Sequence, residues 1–242
     1  MNVLAIDSST DILSVALASD RGRAEASVDA GLRHAEALQG LVDFCMARVG
    51  LEPRELGLLA CARGPGSFTG LRIGMATVKG MALGLGLPWV SVPTLDCLAW
   101  GYEAFPGAVA PIVDGKKGRV YAAIYQAGLR IGPWRDIPLA ELAALLDTYP
   151  EALATGPDAE LFAPFAEERP GFRVDRRART PAARALAALA EEAFLREGPS
   201  PDDEGPLYLR PSEAEEGAAS ETPEPGRARR WPYPRCATIS MT

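Results

Sequence analysis

The chain has 242 residues and a mass of 25.7 kDa, with 48% apolar residues, 25 basic against 32 acidic side chains and a formal net charge of −7. That composition supports one large or two small globular domains with a substantial core, and the acidic balance argues against a broad nucleic-acid surface, which relies on Lys and Arg to neutralise phosphates. A single histidine, His34, and four cysteines without CxxC spacing nearly exclude a His/Cys metal cluster, and the longest uncharged stretch, Gly80 to Leu95, falls short of the roughly 20 apolar residues of a membrane helix.

Residues 2–6 read as a buried strand, and Leu13, Val15 and Leu17 alternate on a second, which makes Asp7-Ser8-Ser9-Thr10-Asp11 a hairpin turn. Asp7 also stands where a signal peptide would carry its apolar segment, so a cytoplasmic protein is expected. Ala35, Leu38, Val42, Cys45 and Val49 recur at helical spacing and mark a helix from about 33 to 48, closed by Gly50 and Pro53. Leu41, Phe44 and Met46 flank that stripe, so this helix is apolar on more than one face. Leu58 to Ala62 is a short strand that runs into Gly64-Pro65-Gly66-Ser67-Phe68-Thr69-Gly70-Leu71-Arg72-Ile73-Gly74 and a helix over 69–84. The glycine run has no Lys-Ser/Thr of a phosphate loop, and Thr69 stands where a dinucleotide fingerprint needs its third glycine. It reads as a tight turn entering a helix, with Gly70 and Gly74 on one face that a neighbouring backbone can approach.

Trp89 to Val92 form another strand, and Thr94 begins a short helix. The pattern then restarts: Val109 to Val113 and Val120 to Tyr125 flank Asp114-Gly115-Lys116-Lys117-Gly118, a second acidic hairpin turn with its lysines solvated at the tip. A helix near Ala140 to Leu146, a strand over Ala152 to Thr155, the breaker Gly156-Pro157 and a helix from Asp158 follow. Thr180 as cap and Pro181 at the first helical position open a last helix that ends at Gly198. These elements predict a duplicated α/β unit divided near residue 104, with lobes over 1–104 and 105–210, and with the last helix and 206–210 packing back on the first lobe. Residues 211–242 have little to build a core from and read as a disordered tail. Its basic, aromatic stretch over 226–242 has the residue types that stack on bases, and its last six residues are similar to the opening strand of an N-acetyltransferase, as a fusion remnant would be.

The two acidic hairpin turns and the strand ending in glycine resemble the actin, sugar-kinase and Hsp70 superfold, α/β with a mixed sheet flanked by helices in each of two lobes. Together with Leu4-Ala5-Ile6-Asp7-Ser8-Ser9-Thr10, the glycine run and Pro206-Leu207-Tyr208-Leu209-Arg210, the chain over about 1–216 is similar to the bacterial TsaB family. The resemblance implies a non-catalytic partner of TsaD, acting with TsaE in making threonylcarbamoyladenosine next to the anticodon. It implies a homodimer when the chain is alone, contact with tRNA only through the complex, and no membrane partner. TsaD holds its metal with an HxxxH pair, whereas here His34 is followed four residues later by Leu38, so no metal site is expected and His34 reads as an exposed or capping residue.

The nucleotide positions of the superfold fall on Asp7, Ser8, Ser9, Thr10, Asp114 and Gly156, and they read as degenerate. Ser9 replaces the glycine that lets a backbone approach phosphate, and Pro157 removes a donor beside Gly156. No cofactor is expected, ATP or ADP entering only weakly or at an interface with the partner. The resemblance further implies that the 33–48 helix and the one after the glycine run dock on TsaD, with Leu38, Leu41, Val42, Cys45, Phe68, Leu71, Arg72 and Met75 at the interface. The rival readings are an ATP-dependent small-molecule kinase with Asp7 and Asp114 around magnesium, and a peptidase-like hydrolase using Ser67 with His34.

Overall fold

In the computed structural model, which describes residues 1–31, 33–176 and 181–210, Val3–Asp7 (β1) is buried along its whole length. A strand with core on both faces needs helices on both sides, and the chain supplies them from opposite ends of the sequence. Ile12–Ala18 (β2) and Arg23–Asp29 (β3) run antiparallel beside β1, and Leu58–Ala62 (β4) and Trp89–Val92 (β5) run parallel on its other side. The sheet order is β3-β2-β1-β4-β5. Ala108–Asp114 (β6), Arg119–Gln126 (β7), Leu129–Pro138 (β8), Ala152–Thr155 (β9) and Phe172–Val174 (β10) form a second sheet in the order β10-β9-β6-β7-β8. Taking the second set from its own first strand, the order and every strand direction repeat those of the first sheet. The duplicated α/β unit expected from the two acidic hairpins is thus present at the level of topology.

Helices α1 (His34–Val49) and α2 (Phe68–Leu85) cover one face of the first sheet through Leu38, Val42, Cys45, Met46, Met75, Val78 and Ala82. The other face meets α3 (Thr94–Ala99) and α6 (Ala183–Glu197), whose Leu95, Leu98, Leu186 and Ala190 share one core with Val109, Val113 and Ala123 of the second sheet. The far face of the second sheet is closed by α4 (Leu139–Leu146), a 3₁₀ turn over Ala159–Phe162 and the short α5 (Ala163–Glu167) around Phe162.

Several expectations need correction. β3, β8 and β10 are additional strands: β3 alternates charged residues with small ones on a sheet edge, β8 contains Gly132 and Pro133, and β10 has three residues, so none carries a strong alternating signal. The helix expected from Asp158 is a 3₁₀ turn followed by a separate five-residue helix. The last helix begins at Ala183 with Ala182 at its N-cap, so Pro181 precedes it, while Thr180 lies outside the described residues. The tail expectations for 211–242 also lie outside them.

Candidate functional site

The first acidic turn is held by the chain itself. Asp7 is 2% exposed at the end of β1, and its Oδ1 accepts hydrogen bonds from the Ser9 backbone N–H (2.9 Å) and the Ser9 hydroxyl (2.6 Å). Ser8 Oγ donates to the Gly70 carbonyl (2.8 Å), and the Ser67 N–H donates to the Ser9 carbonyl (2.7 Å). His34 begins α1 but is 3% exposed and bonds through Nε2 to the Thr10 carbonyl at 2.8 Å, so it is a buried turn support and neither exposed nor a cap.

The glycine run explains why this turn can sit so deep. A Cβ built on Gly66 would lie 2.1 Å from the Ser9 carbonyl oxygen, one on Gly70 2.0 Å from that of Ser8, and one on Gly74 2.2 Å from Ser8 Oγ. Gly70 and Gly74 therefore admit the chain's own first turn, which corrects the expectation that this face receives a neighbouring backbone. The N-terminal end of α2 packs against the Asp7–Thr10 backbone, the place a bound phosphate would need.

Asp114 ends β6, and Lys116 folds back on it through its N–H (2.7 Å) and Nζ (2.8 Å). Burial opposes ionisation there, but the Lys116 hydrogen bonds and charge hold Asp114 below the ordinary carboxylate range. Asp158 accepts the Asp114 N–H at 2.8 Å, and burial pushes its own carboxyl up, with the negative charges of Asp114 and Asp11 adding to the shift. Gly156 has φ +93°, and a Cβ there would meet the Ile112 carbonyl oxygen at 2.7 Å, so this glycine is required by strand packing. Beside it a cavity of about 250 Å³ is bounded by Glu25, Trp100, Tyr102, Gly156 and Arg184. Asp11 and Asp158 are members of this region that motif reasoning missed; Asp11 was legible only as the second acid of the first turn.

Asp7 is buried with its Oδ1 bonded to Ser9, the first turn is packed against α2, and Asp11, Asp114 and Asp158 set three carboxylates around Lys116. The hydrolase pair is not assembled, because Ser67 Oγ caps α2 by accepting the Gly70 N–H (3.2 Å) while His34 bonds to Thr10. Burial raises the Asp7 pKa against the opposing Ser9 bonds and the His34 charge, so its ionisation costs stability as pH rises from its unfolded value through its folded one. Asp7→Asn retains an acceptor for both Ser9 donors. It is expected to fold at pH 7 and to remove this pH-dependent cost, which melting curves from pH 4 to 8 would show as a flatter profile than wild type; failure to fold at pH 7 would contradict the assignment.

Of the residues expected at a docking surface, Leu38, Val42, Cys45, Leu71 and Met75 are buried within the chain. Leu41 and Phe68 are partly exposed and Arg72 is exposed. The exposed residues of α1 are Ala35, Glu36, Gln39, Gly40, Asp43, Phe44, Ala47 and Arg48, with Ala37 and Leu41 partly buried against the core; those of α2 include Thr69, Arg72, Ala76, Gly80, Leu83 and Gly84, with Ile73 half-buried. The exposed face of α1 is thus mixed, polar at Glu36, Gln39 and Asp43 and apolar at Phe44, whereas that of α2 is largely apolar or small apart from Thr69 and Arg72. Phe44 is 44% exposed, with the Arg48 guanidinium 5.0 Å from its ring centroid, and Leu83 is 87% exposed. Above Gly40, Gly80 and Gly84 there is open space, so these, and not Gly70 and Gly74, are the glycines another backbone can approach.

A family model described as TsaD, tRNA N6-adenosine threonylcarbamoyltransferase, matches residues 28–143. The tRNA threonylcarbamoyladenosine biosynthesis protein TsaB of Bacillus subtilis is 32% identical over 224 residues, covering 89% of this chain and 96% of that protein. The protein of the same name from Escherichia coli is 40% identical over 129 residues, 52% of this chain and 55% of that one. Among solved structures, YeaZ from Pseudomonas aeruginosa superposes with a TM-score of 0.71 at 28% identity, covering 86% of this chain and 99% of that chain. Among the described residues, no helix is long and apolar enough to cross a membrane.

Proposed function

The chain belongs to the TsaB family of tRNA threonylcarbamoyladenosine biosynthesis, and from that premise we propose that it is the non-catalytic scaffold that binds and activates TsaD, with TsaE as the ATP-hydrolysing third component. The observation that carries this reading is the pairing of a first turn filled by the chain's own α2 with a largely small and apolar exposed face on α2 beside the exposed Phe44 of α1. A protein whose first turn is filled from within, and whose adjoining helices expose Phe44, Leu83 and open glycines, is suited to docking. Leu41, Phe44, Phe68 and Arg72 are the contacts, backed by the buried Leu38, Val42, Cys45, Leu71 and Met75. In the absence of TsaD the same surface pairs two copies of the chain, and tRNA is met through the complex in the cytoplasm. Functionally the chain divides near residue 104, the helices of the first lobe facing the partner.

Reconstitution tests it: TsaD, TsaE, a carbamoyl-adenylate synthase, tRNA, ATP, threonine and bicarbonate are combined with and without this chain. Modification is expected to depend on its presence, and equal modification without it would refute the reading. ATP turnover by the chain alone would favour the kinase alternative.

A further inference from the structure

Residues 199–210 follow α6 as an extended segment that touches both sheets. At its start the Ser200 N–H donates to the Trp89 carbonyl (2.9 Å), and Ser200 Oγ accepts the Ser91 N–H (3.0 Å). Lys79 of α2 donates to the carbonyls of Asp202 (2.8 Å) and Glu204 (2.6 Å), and Glu204 pairs with Arg63 at 2.8 Å. The Leu207 N–H donates to the Arg63 carbonyl (2.6 Å), and a Cβ on Gly64 would strike the Leu207 carbonyl oxygen at 2.7 Å. Tyr208 stacks on Phe68 with ring centroids 4.8 Å apart and accepts from Arg72 Nε at 2.9 Å. The expected edge segment at 207–209 thus packs back over the glycine run but forms no strand.

Two residues further on, the segment is fixed to the other sheet. Arg210 holds Asp136 of β8 in a bidentate pair, Nε to Oδ2 and Nη2 to Oδ1 both at 2.8 Å, and its Nη1 donates to the Gly115 carbonyl in the second acidic turn (3.0 Å). Both side chains are shielded, at 19% and 13% exposure, and Arg119 adds a second guanidinium to Asp136. A planar, bidentate pair of this kind fixes direction as well as distance.

We propose that 199–210 is a latch between the two sheets, coupling the partner-facing start of α2 to the Asp114 turn. Asp7 ends β1 and Asp114 ends β6, the central strands of the two sheets. Tyr208 grips the start of α2 over the first sheet and Arg210 grips Gly115 and Asp136 of the second, with one residue between them, so displacement at Phe68 and Arg72 is transmitted to Gly115 and Asp136. That α2 faces a partner rests on the function proposed above; the latch itself does not.

Hydrogen–deuterium exchange on the free full chain tests the latch. Arg210→Ala is expected to speed exchange of amides 115–120 about tenfold by removing charge-assisted bonds that hold the turn. Tyr208→Ala, a change at Phe68 and Arg72 of α2, is expected to speed the same amides severalfold, an effect that purely local packing would not produce. Arg210→Lys, which keeps the charge without the fork, is expected to fall between, and with Tyr208→Ala it carries the test should Arg210→Ala not fold. Unchanged exchange at 115–120 in folded Tyr208→Ala overturns the coupling. With TsaD added, slower exchange at 115–120 supports it, and binding that leaves those amides unchanged overturns it. If TsaD fails to bind while the free-chain effects appear, the functional reading falls and the latch stands.

Discussion

Replacing Gly70 by Ala is expected to destabilise the protein by at least about 3 kcal/mol or to prevent folding, although alanine favours a helix over glycine by roughly 1 kcal/mol. The new Cβ would lie 2.0 Å from the Ser8 carbonyl oxygen, a backbone atom that cannot turn aside as a side chain could. Moving the turn would break the Ser9–Ser67 and Ser8–Gly70 bonds and expose the buried Asp7. Gly80→Ala and Gly84→Ala, on the same helix with open space above them, are expected to stabilise by roughly 0.5–1 kcal/mol each. For a domain of this size that is a rise of about 2–4 °C in melting temperature per kcal/mol. Thermal denaturation of the three variants side by side decides the matter: a Gly70→Ala protein that melts with the wild type would mean that α2 does not enclose the first turn.

The second large effect separates support from contact. Met75 is 4% exposed among the apolar side chains under α1 and α2, so Met75→Glu places an unpaired carboxylate in the core and is expected to cost on the order of 3–5 kcal/mol. Any loss of complex in that variant would follow from loss of fold. Phe44→Glu changes an exposed ring and should leave stability within about 0.5 kcal/mol. Its affinity for TsaD should nevertheless fall about thirtyfold or more, as for an aromatic anchor worth ~2 kcal/mol. Titration calorimetry beside a melting curve reads both quantities; full affinity in folded Phe44→Glu would move the docking surface away from α1.

How far the sequence could be read depended on whether a feature leaves a local trace. The hairpin acids, the strand at Leu58–Ala62 and the cap Gly50 carry such traces, and the elements they bound lie within a residue or two of expectation. Edge strands β3 and β8 do not, because their outward residues answer to solvent. At the candidate site, Ser9 and Leu38 marked departures from the glycine of a phosphate turn and the second histidine of an HxxxH pair, but the role of Gly66, Gly70 and Gly74 was invisible. A glycine that admits the chain's own distant backbone has the same local signature as one that admits another molecule. The burial of the residues expected at an interface was hidden for a related reason: helical spacing gives the apolar stripe, and only the sheet beneath shows that Leu38, Val42 and Cys45 are buried while Leu41 and Phe44 are partly or more fully exposed. The binding role of Tyr208 and Arg210 depends on contacts across more than 70 positions of chain and has no local pattern.

The placement of α6 has a consequence for synthesis. Val3, Ala5, Leu58, Ala60 and Val92 face the core that Leu186, Ala187 and Ala190 complete, while α1 and α2 cover only the opposite side of the same sheet. During translation the first five strands leave the ribosome with the Val3 and Ala5 side of the sheet covered only in part, by the short α3, and α6 closes it only after the second sheet has been made. A nascent chain of this design needs a chaperone or its own neighbours to shield that side, and a ribosome that stalls in the second half releases a sticky product in place of a smaller working unit.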